Sequence, residues 1–358
     1  MNDNNGENAG IKTNALLTWY NRKTYDQKFL VILFGALGFL LIAATVLIIV
    51  NVTTGWQNWY GFLIGTGIIL CVILGQYSAT KIGYYGDLVF DYGIAAVLCA
   101  ILGARLYFVI FDLMRPDTEW DFFKFWNFFE VGGLAVFGGL IGAVCGVLLM
   151  QYIYKRFTKK PRMKFINCMD LAFTFIPLGQ AIGRIGCYFA DCCHGLLVTD
   201  PNLQFFPLAY QSFGHTAWHI PTFFYESVFN ACLFAFLFIS YLGKRKSFDG
   251  FNLSVYCIGY GICRAVLEGL RAPDESLPLI PGVLRVSQLV SIVICIFGVA
   301  WIVQYIVRAK LAGKKLMIFT PKDKLSDEYF GYENTIHAHP HVNPDGSPIR
   351  GNEVSEVK

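Results

Sequence analysis

Eight long apolar runs constrain this chain more than any other feature. They cover residues 29–50, 59–79, 89–111, 131–154, 168–190, 222–242, 251–270 and 288–307. Each is near the roughly 20 residues that an α-helix needs to cross the hydrocarbon of a bilayer. Within lipid a backbone has to satisfy its own polar groups, so runs of this length fold as helices. The expected fold class is therefore an all-α polytopic membrane protein with about eight transmembrane helices. Composition agrees: 55% of the 358 residues are hydrophobic and 15% are charged, against about 25% charged in soluble domains.

The connecting segments give a topology. Lys12, Arg22, Lys23 and Lys28 precede the first run, and Lys81 follows the second. Six basic residues between Lys155 and Lys164 follow the fourth run, Lys244, Arg245 and Lys246 the sixth, and Arg308, Lys310, Lys314 and Lys315 the eighth. Of the segments between them, 51–58 is uncharged, 112–130 is mostly acidic and 191–221 has no Lys or Arg, while 271–287 is mixed. Basic segments stay cytoplasmic, so the alternation puts both termini inside and makes this a multi-pass protein of the cell membrane. The net charge of +4 gathers on that face and is no nucleic-acid footprint. The start of the chain is polar and no small-residue cleavage site follows the first run, so that run is expected to remain as an anchor. The expected domains are a cytoplasmic segment at 1–28, an additional transmembrane helix at 29–50, a core at 51–308 and a disordered cytoplasmic tail at 309–358. His337, His339 and His341 fall in this tail and are expected to be solvated.

Ionisable residues inside the runs point to function. Arg264 and Glu268 lie four apart, on one helix face, with Tyr260 before them and Arg271 after. Each such charge costs roughly 2.5–3.5 kcal/mol on insertion scales, so it persists where it pairs, lines a wet cavity or binds a charged ligand. The topology brings Arg105, Gly138 and Gly139, the segment Gly183-Arg184-Ile185-Gly186-Cys187, and Arg264, Glu268 and Arg271 into the outer half of four separate runs. A shared cavity whose arginines hold a phosphate accounts for this clustering. Two plainer readings stand beside it. The Arg–Glu pair can simply lock helices together, and Gly138, Gly142 and Gly146, like Gly179 and Gly183, have the small-xxx-small spacing of close helix packing.

Several segments resemble the prolipoprotein diacylglyceryl transferase family. Gly183-Arg184-Ile185-Gly186-Cys187-Tyr188-Phe189 resembles its Gly-Arg-x-Gly-Asn-Phe signature, and Gly138-Gly139-Leu140-Ile141-Gly142 its Gly-Gly-Leu-Ile-Gly segment. Trp59-Tyr60-Gly61, Gly103-Ala104-Arg105-Leu106-Tyr107 and Pro221-Thr222-Phe223-Phe224-Tyr225-Glu226 are similar to further family motifs. So are Gly259-Tyr260-Gly261 with Arg264, Glu268, Arg271, Pro273 and Asp274, and Ser287-Gln288-Leu289. They occur in family order from about Trp59 to Val307. The family core has seven spans with an outward N-terminus, so one added helix returns the N-terminus inside, as the charge alternation also does.

The resemblance implies transfer of the diacylglyceryl group of phosphatidylglycerol to the cysteine thiol of a prolipoprotein signal peptide, with release of glycerol phosphate. It implies no cofactor and no metal, and no partner beyond the lipid, the signal peptide and the bilayer; nucleic acid has no part. The implied catalytic residues are Arg184 and Arg264, which would hold the leaving phosphate, with Glu268 orienting Arg264. Implied substrate-binding residues are Tyr60, Arg105, Gly138, Gly139, Gly183, Gly186, Tyr225, Glu226 and Arg271.

Three departures matter. Phe137 stands where the family has His or Tyr, a candidate base, and cannot exchange a proton. Cys187 replaces the signature Asn. Ala190-Asp191-Cys192-Cys193-His194-Gly195 replaces an Asn-Gly-Glu region. His194, with Asp191, is the candidate replacement base, because imidazole titrates near neutral pH. Cys187, Cys192 and Cys193 read first as structural (a disulfide on an oxidising side, or packing), next as catalytic, and last as a zinc site, because adjacent cysteines rarely bind one metal. The other eight cysteines read as small apolar packing groups. The segment 191–221 also carries Phe205, Phe206, Tyr210, Phe213, Trp218, His215 and His219, a density that suits a lobe at the lipid interface. Two rivals remain: a related enzyme with another acceptor or phospholipid reaction, and an anionic-lipid transporter. The transporter predicts inverted repeats, and no convincing repeat is present.

Overall fold

The computed structural model describes residues 25–54, 59–82, 86–113, 136–157, 164–211, 216–243, 245–272, 278–280, 284–313, 316 and 318–321. The polar start at 1–24, most of the tail with its three histidines, and Phe213, His215, Pro273 and Asp274 lie outside the described residues. Among the described residues eight long helices form: α1 (Tyr25–Thr54), α2 (Trp59–Ile82), α3 (Gly86–Leu113), α4 (Val136–Arg156), α5 (Phe165–Phe189), α6 (Thr222–Leu242), α7 (Phe251–Gly269) and α8 (Val286–Leu311). One helix corresponds to each apolar run, with ends that move by a few residues.

Seven of these helices are long and apolar enough to cross a membrane by length and composition. The eighth, α7, has 19 residues and carries Arg264 and Glu268 among its apolar groups. It also buries the polar Asn252 and Ser254. Its polar content is tolerated because it packs against α5, α6 and α8 and so meets protein on several sides. The helix α1 belongs to a compact unit of its own, and its Phe34, Phe39, Leu41 and Ile42 are exposed, as a helix in contact with lipid requires.

From α2 onward the helices form a second unit, with its most extensive contacts between α3 and α4, α7 and α8, α2 and α5, and α5 and α6. Small residues make the closest approaches. A Cβ at Gly142 would collide with the Cys99 carbonyl, and one at Gly261 would fall 2.8 Å from the Ser291 carbonyl oxygen. Lipid tails are as apolar as Leu, so helices associate in a bilayer through such backbone proximity and its dispersion contacts rather than through the hydrophobic effect. The interior is filled by Leu88, Phe175, Leu237, Leu253 and Tyr256 among others. Leu98, Leu106, Leu149, Ile239 and Ile296 point out of the bundle.

At the end where α5 and α7 begin, a buried carboxylate holds the bundle together. Asp170 of α5 accepts hydrogen bonds from the backbone N–H of Gly250 at 2.6 Å and of Leu253 at 3.0 Å. It thereby satisfies donors that the first turn of α7 cannot pair internally. Gly250 has φ +93°, and a Cβ there would strike the Trp301 indole, so only glycine admits this entry into α7. Asn252 Nδ2 donates to Thr174 Oγ1 at 2.8 Å and to the Leu237 carbonyl at 3.2 Å, which adds α6 to the junction. On the same side the Tyr154 hydroxyl of α4 donates to Asp91 of α3.

At the other end, the segment after α5 folds back over the helix termini. Two short strands, β1 (Tyr210–Gln211) and β2 (Trp218–His219), pair antiparallel with Tyr210 opposite His219. Gly195 bridges to Arg271, and Ala272 N–H donates to the His194 carbonyl at 3.1 Å. These backbone bonds bring residues 192–196 against the C-terminus of α7.

Candidate active site

The last turns of α5 and α7 and the first turns of α6 meet at this end, and each brings a charge. Glu226 of α6 bridges two arginines: its Oε1 lies 2.9 Å from Arg184 Nη2 and its Oε2 3.1 Å from Arg264 Nη1. Glu268 Oε2 lies 3.0 Å from Arg264 Nη2 and 3.8 Å from Arg271 Nη1. The two carboxylate side chains are 3–4% exposed, whereas those of the arginines keep 17–22%. The carboxylates are thus sealed in, and the guanidiniums retain an accessible edge. Three guanidiniums against two carboxylates leave one formal positive charge (3 − 2 = +1), and Arg285 adds another. Arg285 donates to the carbonyls of Glu268 and Arg271, the latter at 3.1 Å from both Nη atoms. It thereby closes the carbonyl end of α7.

Through Arg184, the charged cluster borders an apolar cavity of about 600 Å³. Tyr60, Gln180, Gly183, Arg184 and Cys187 line it near the cluster, and Val89, Ala96, Val147, Leu171 and Phe175 line the rest. Its volume lies within the range of about 300–1,000 Å³ seen for ligand sites. A guanidinium on the wall of an apolar cavity suits a molecule with an anionic headgroup and hydrocarbon chains.

Next to Arg184 lie three thiols. The sulfurs of Cys187, Cys192 and Cys193 are all within 4.8 Å of one another, and all are free. Arg271 Nη2 donates to Cys193 Sγ at 3.0 Å, and Arg184 Nη1 lies 3.6 Å from the same sulfur and 3.9 Å from Cys187 Sγ. Hydrogen bonds from Cys187 and Cys192, aided by the two guanidiniums, hold the Cys193 thiol well below its usual pKa despite burial. Hydrogen bonding to Cys187 and Cys193 and burial push Cys192 upward. His194 Nε2 lies 3.0 Å from Asp191 Oδ1, and the His194 ring stacks near Tyr210.

A model of the prolipoprotein diacylglyceryl transferase family matches residues 48–304. The chain belongs to this family. It is 37% identical over 253 residues to a phosphatidylglycerol–prolipoprotein diacylglyceryl transferase of Synechocystis sp., covering 69% of this chain and 84% of that relative. Relatives of the same name from Streptococcus uberis and Streptococcus equi subsp. zooepidemicus are 36% identical over 257 residues and 33% identical over 246. These alignments cover 69% and 68% of this chain, and 90% and 89% of the relatives. The matched segment holds the whole charged cluster and begins only near the end of α1.

Within the prolipoprotein diacylglyceryl transferase core, the residues singled out from the sequence divide into two groups. Arg184, Glu226, Arg264, Glu268 and Arg271 form one connected network. Tyr60, Gly183 and Cys187 border the cavity beside it, and the Tyr60 ring packs against Gly186, where a Cβ would lie 3.0 Å from Cδ2. His194 and Asp191 form a pair next to Cys193. The second group lies apart. Arg105 of α3 is fully buried, with its guanidinium 5.3 Å from the Phe108 ring centre. Gly138 sits against Gly103 and Tyr107 at the α3–α4 contact, and Gly139 meets Ala100 and Ala104. Tyr225 donates from its hydroxyl to the Pro207 carbonyl at 2.7 Å, tying α6 to the loop lobe. Phe137 is half-exposed at the start of α4.

Two contributors escaped the sequence reading, and a third was read for another role. Arg285 stands in a segment whose mixed charge gave no signal; its value as a helix cap depends on where α7 ends. Thr222 was quoted within a motif, but its hydroxyl bond to the Cys193 carbonyl at 2.7 Å links residues 29 apart in sequence. Glu226 was counted among the substrate-binding residues, and its place between two arginines exists only in three dimensions.

Proposed function

We propose that this chain transfers the diacylglyceryl group of phosphatidylglycerol to the cysteine thiol of a prolipoprotein signal peptide. The observation that carries this reading is Arg184 on the wall of an apolar cavity, joined through Glu226 and Glu268 to Arg264 and Arg271, in a chain whose relatives bear that enzyme name. The acyl chains lie along the cavity, with the headgroup phosphate at Arg184 and Arg264. The substrate thiolate attacks the glyceryl methylene carbon that carries the phosphate ester. A sulfur–carbon bond forms as the carbon–oxygen bond breaks, and the bonding pair leaves on the phosphate oxygen. The product is a thioether, and glycerol phosphate departs with its charge held by guanidiniums aimed at it beforehand. Glu226 and Glu268 position these guanidiniums and need not touch substrate. The thiol must first lose its proton, because the thiolate is the nucleophile, and His194, oriented by Asp191, accepts it. The basic segments favour both termini in the cytoplasm of a cell-membrane protein, and on that orientation the reaction occurs in the outer half of the bilayer.

The test is direct transfer with purified protein, phosphatidylglycerol labelled in its diacylglycerol, and a peptide carrying the signal-peptide cysteine. Label is expected on the peptide, and Arg184→Ala or Arg264→Ala should lower it by roughly 10²–10³-fold. Undiminished transfer by both variants would overturn the assignment of the phosphate site.

A further inference from the structure

The three-sulfur cluster asks for a ligand. Adjacent cysteines rarely direct both side chains to one point, because an extended or helical backbone turns them apart. Here Asp191 and Cys193 adopt φ +48° and +65°, a region that non-glycine residues seldom enter and that persists where surrounding structure holds it. These two residues flank Cys192 and turn the backbone so that both sulfurs converge with Cys187 on the last turn of α5. A tetrahedral zinc with Zn–S bonds of about 2.3 Å sets its sulfurs about 3.8 Å apart. The observed separations are at most 4.8 Å, so a contraction of no more than about 1 Å closes the site. A disulfide would use only two of the three sulfurs and leave the third without a role in the convergence.

The surroundings suit thiolates. Arg271 and Arg184 direct N–H groups at Cys193, and Arg184 also reaches Cys187. Hydrogen bonds of this kind are the outer-shell contacts that orient metal ligands. A site with three protein ligands leaves one position of zinc open, which is the pattern of catalytic rather than structural zinc. Cys187 also lines the cavity with Arg184, so the open position borders the space assigned to the lipid.

We propose that Cys187, Cys192 and Cys193 bind one zinc ion whose fourth position takes the thiol of the acceptor cysteine. This rests on the transfer reaction above and supplies what Phe137 cannot. The acceptor thiol binds zinc as thiolate, and its proton passes to His194 or to water. The zinc-held sulfur attacks the glyceryl carbon, forming sulfur–carbon as carbon–oxygen breaks, with the electron pair leaving on phosphate. No electron is exchanged with the metal. The thioether product is a much weaker zinc ligand than the thiolate and releases the site.

The experiment uses the full chain purified in detergent. Elemental analysis is expected to find one zinc per chain, lost in Cys192→Ser. Because that variant can misfold, the wild-type protein is also stripped with a chelator and refilled with zinc or cobalt(II). Cobalt should give the thiolate charge-transfer absorption, which separates this site from metal on the tail histidines. The visible bands should shift with the signal-peptide cysteine and not with its Cys→Ser counterpart. Transfer should stop on chelation and return with zinc. Failure to retain metal on refilling, or a disulfide joining two of the three cysteines in the active protein, overturns the proposal. Transfer that survives complete zinc removal overturns it too, while the transferase reading stands. A thiolate-bound cobalt site that binds the peptide thiol in a protein without transfer supports the site and sinks the reaction assigned to it.

Discussion

The two ends of the bundle bury carboxylates in opposite ways. Where α5 and α7 begin, Asp170 is met by backbone N–H groups of Gly250 and Leu253. Where the same helices end, Glu226 and Glu268 are met by side chains of Arg184, Arg264 and Arg271. In the first arrangement backbone donors meet both carboxylate oxygens. The second keeps guanidinium edges accessible next to a cavity. Buried charge is therefore not by itself a mark of function. What distinguishes the active end is that the partners carry opposite charge in excess and retain exposure. A charge that serves only the fold can be neutralised by the backbone, while one that serves a ligand has to keep part of its field unspent.

That contrast can be broken by substitution. The largest effect is expected from Arg184→Ala, which should lower transfer by roughly 10³-fold, near the upper end for loss of one preorganised donor, as read by labelled diacylglyceryl on the peptide. The same change leaves Glu226 short of a partner, and breaking a buried pair typically costs about 3–5 kcal/mol, so stability should fall as well. An Arg184→Ala protein of normal rate would equate the two ends.

His194→Gln should reduce transfer by roughly 10²-fold, the lower end for general-base loss, with thermal unfolding in detergent little changed. Full activity would remove His194 from the mechanism. At the capped end, Asp170→Ala leaves two buried N–H groups unpaired and should destabilise the protein by about 1–3 kcal/mol. The rate per folded molecule should be unaltered, since Asp170 lies at the opposite end from the site. A selective loss of rate without loss of melting temperature would show that the two ends are coupled. The smallest effect belongs to α1: a Cβ at Gly35 would meet nothing within 4 Å. Gly35→Ala should raise helix stability by up to about 1 kcal/mol and leave transfer unchanged.

Much of this was legible in the chain. Apolar runs near bilayer length produce helices because lipid offers the backbone no other partner, and eight runs became eight helices. Arg264 and Glu268 at helical spacing do pair. Partners brought from other helices were not legible. Glu226 and Arg184 are 42 residues apart, and no periodicity links them. The glycines show the same limit: Gly138 and Gly183 look alike in sequence, yet Gly138 lies against the neighbouring backbone and Gly183 borders the cavity.

What the sequence determined by itself was the class of molecule, the number of helices and the kinds of charge carried at each helix end, because solvent preference and helical spacing act locally. The tertiary structure alone decided which carboxylate faces which guanidinium, and that three cysteines converge beside two of the arginines. Those outcomes depend on which helices lie side by side and on a left-handed turn at Asp191 and Cys193. Both follow from packing summed over the whole bundle, which no local pattern records.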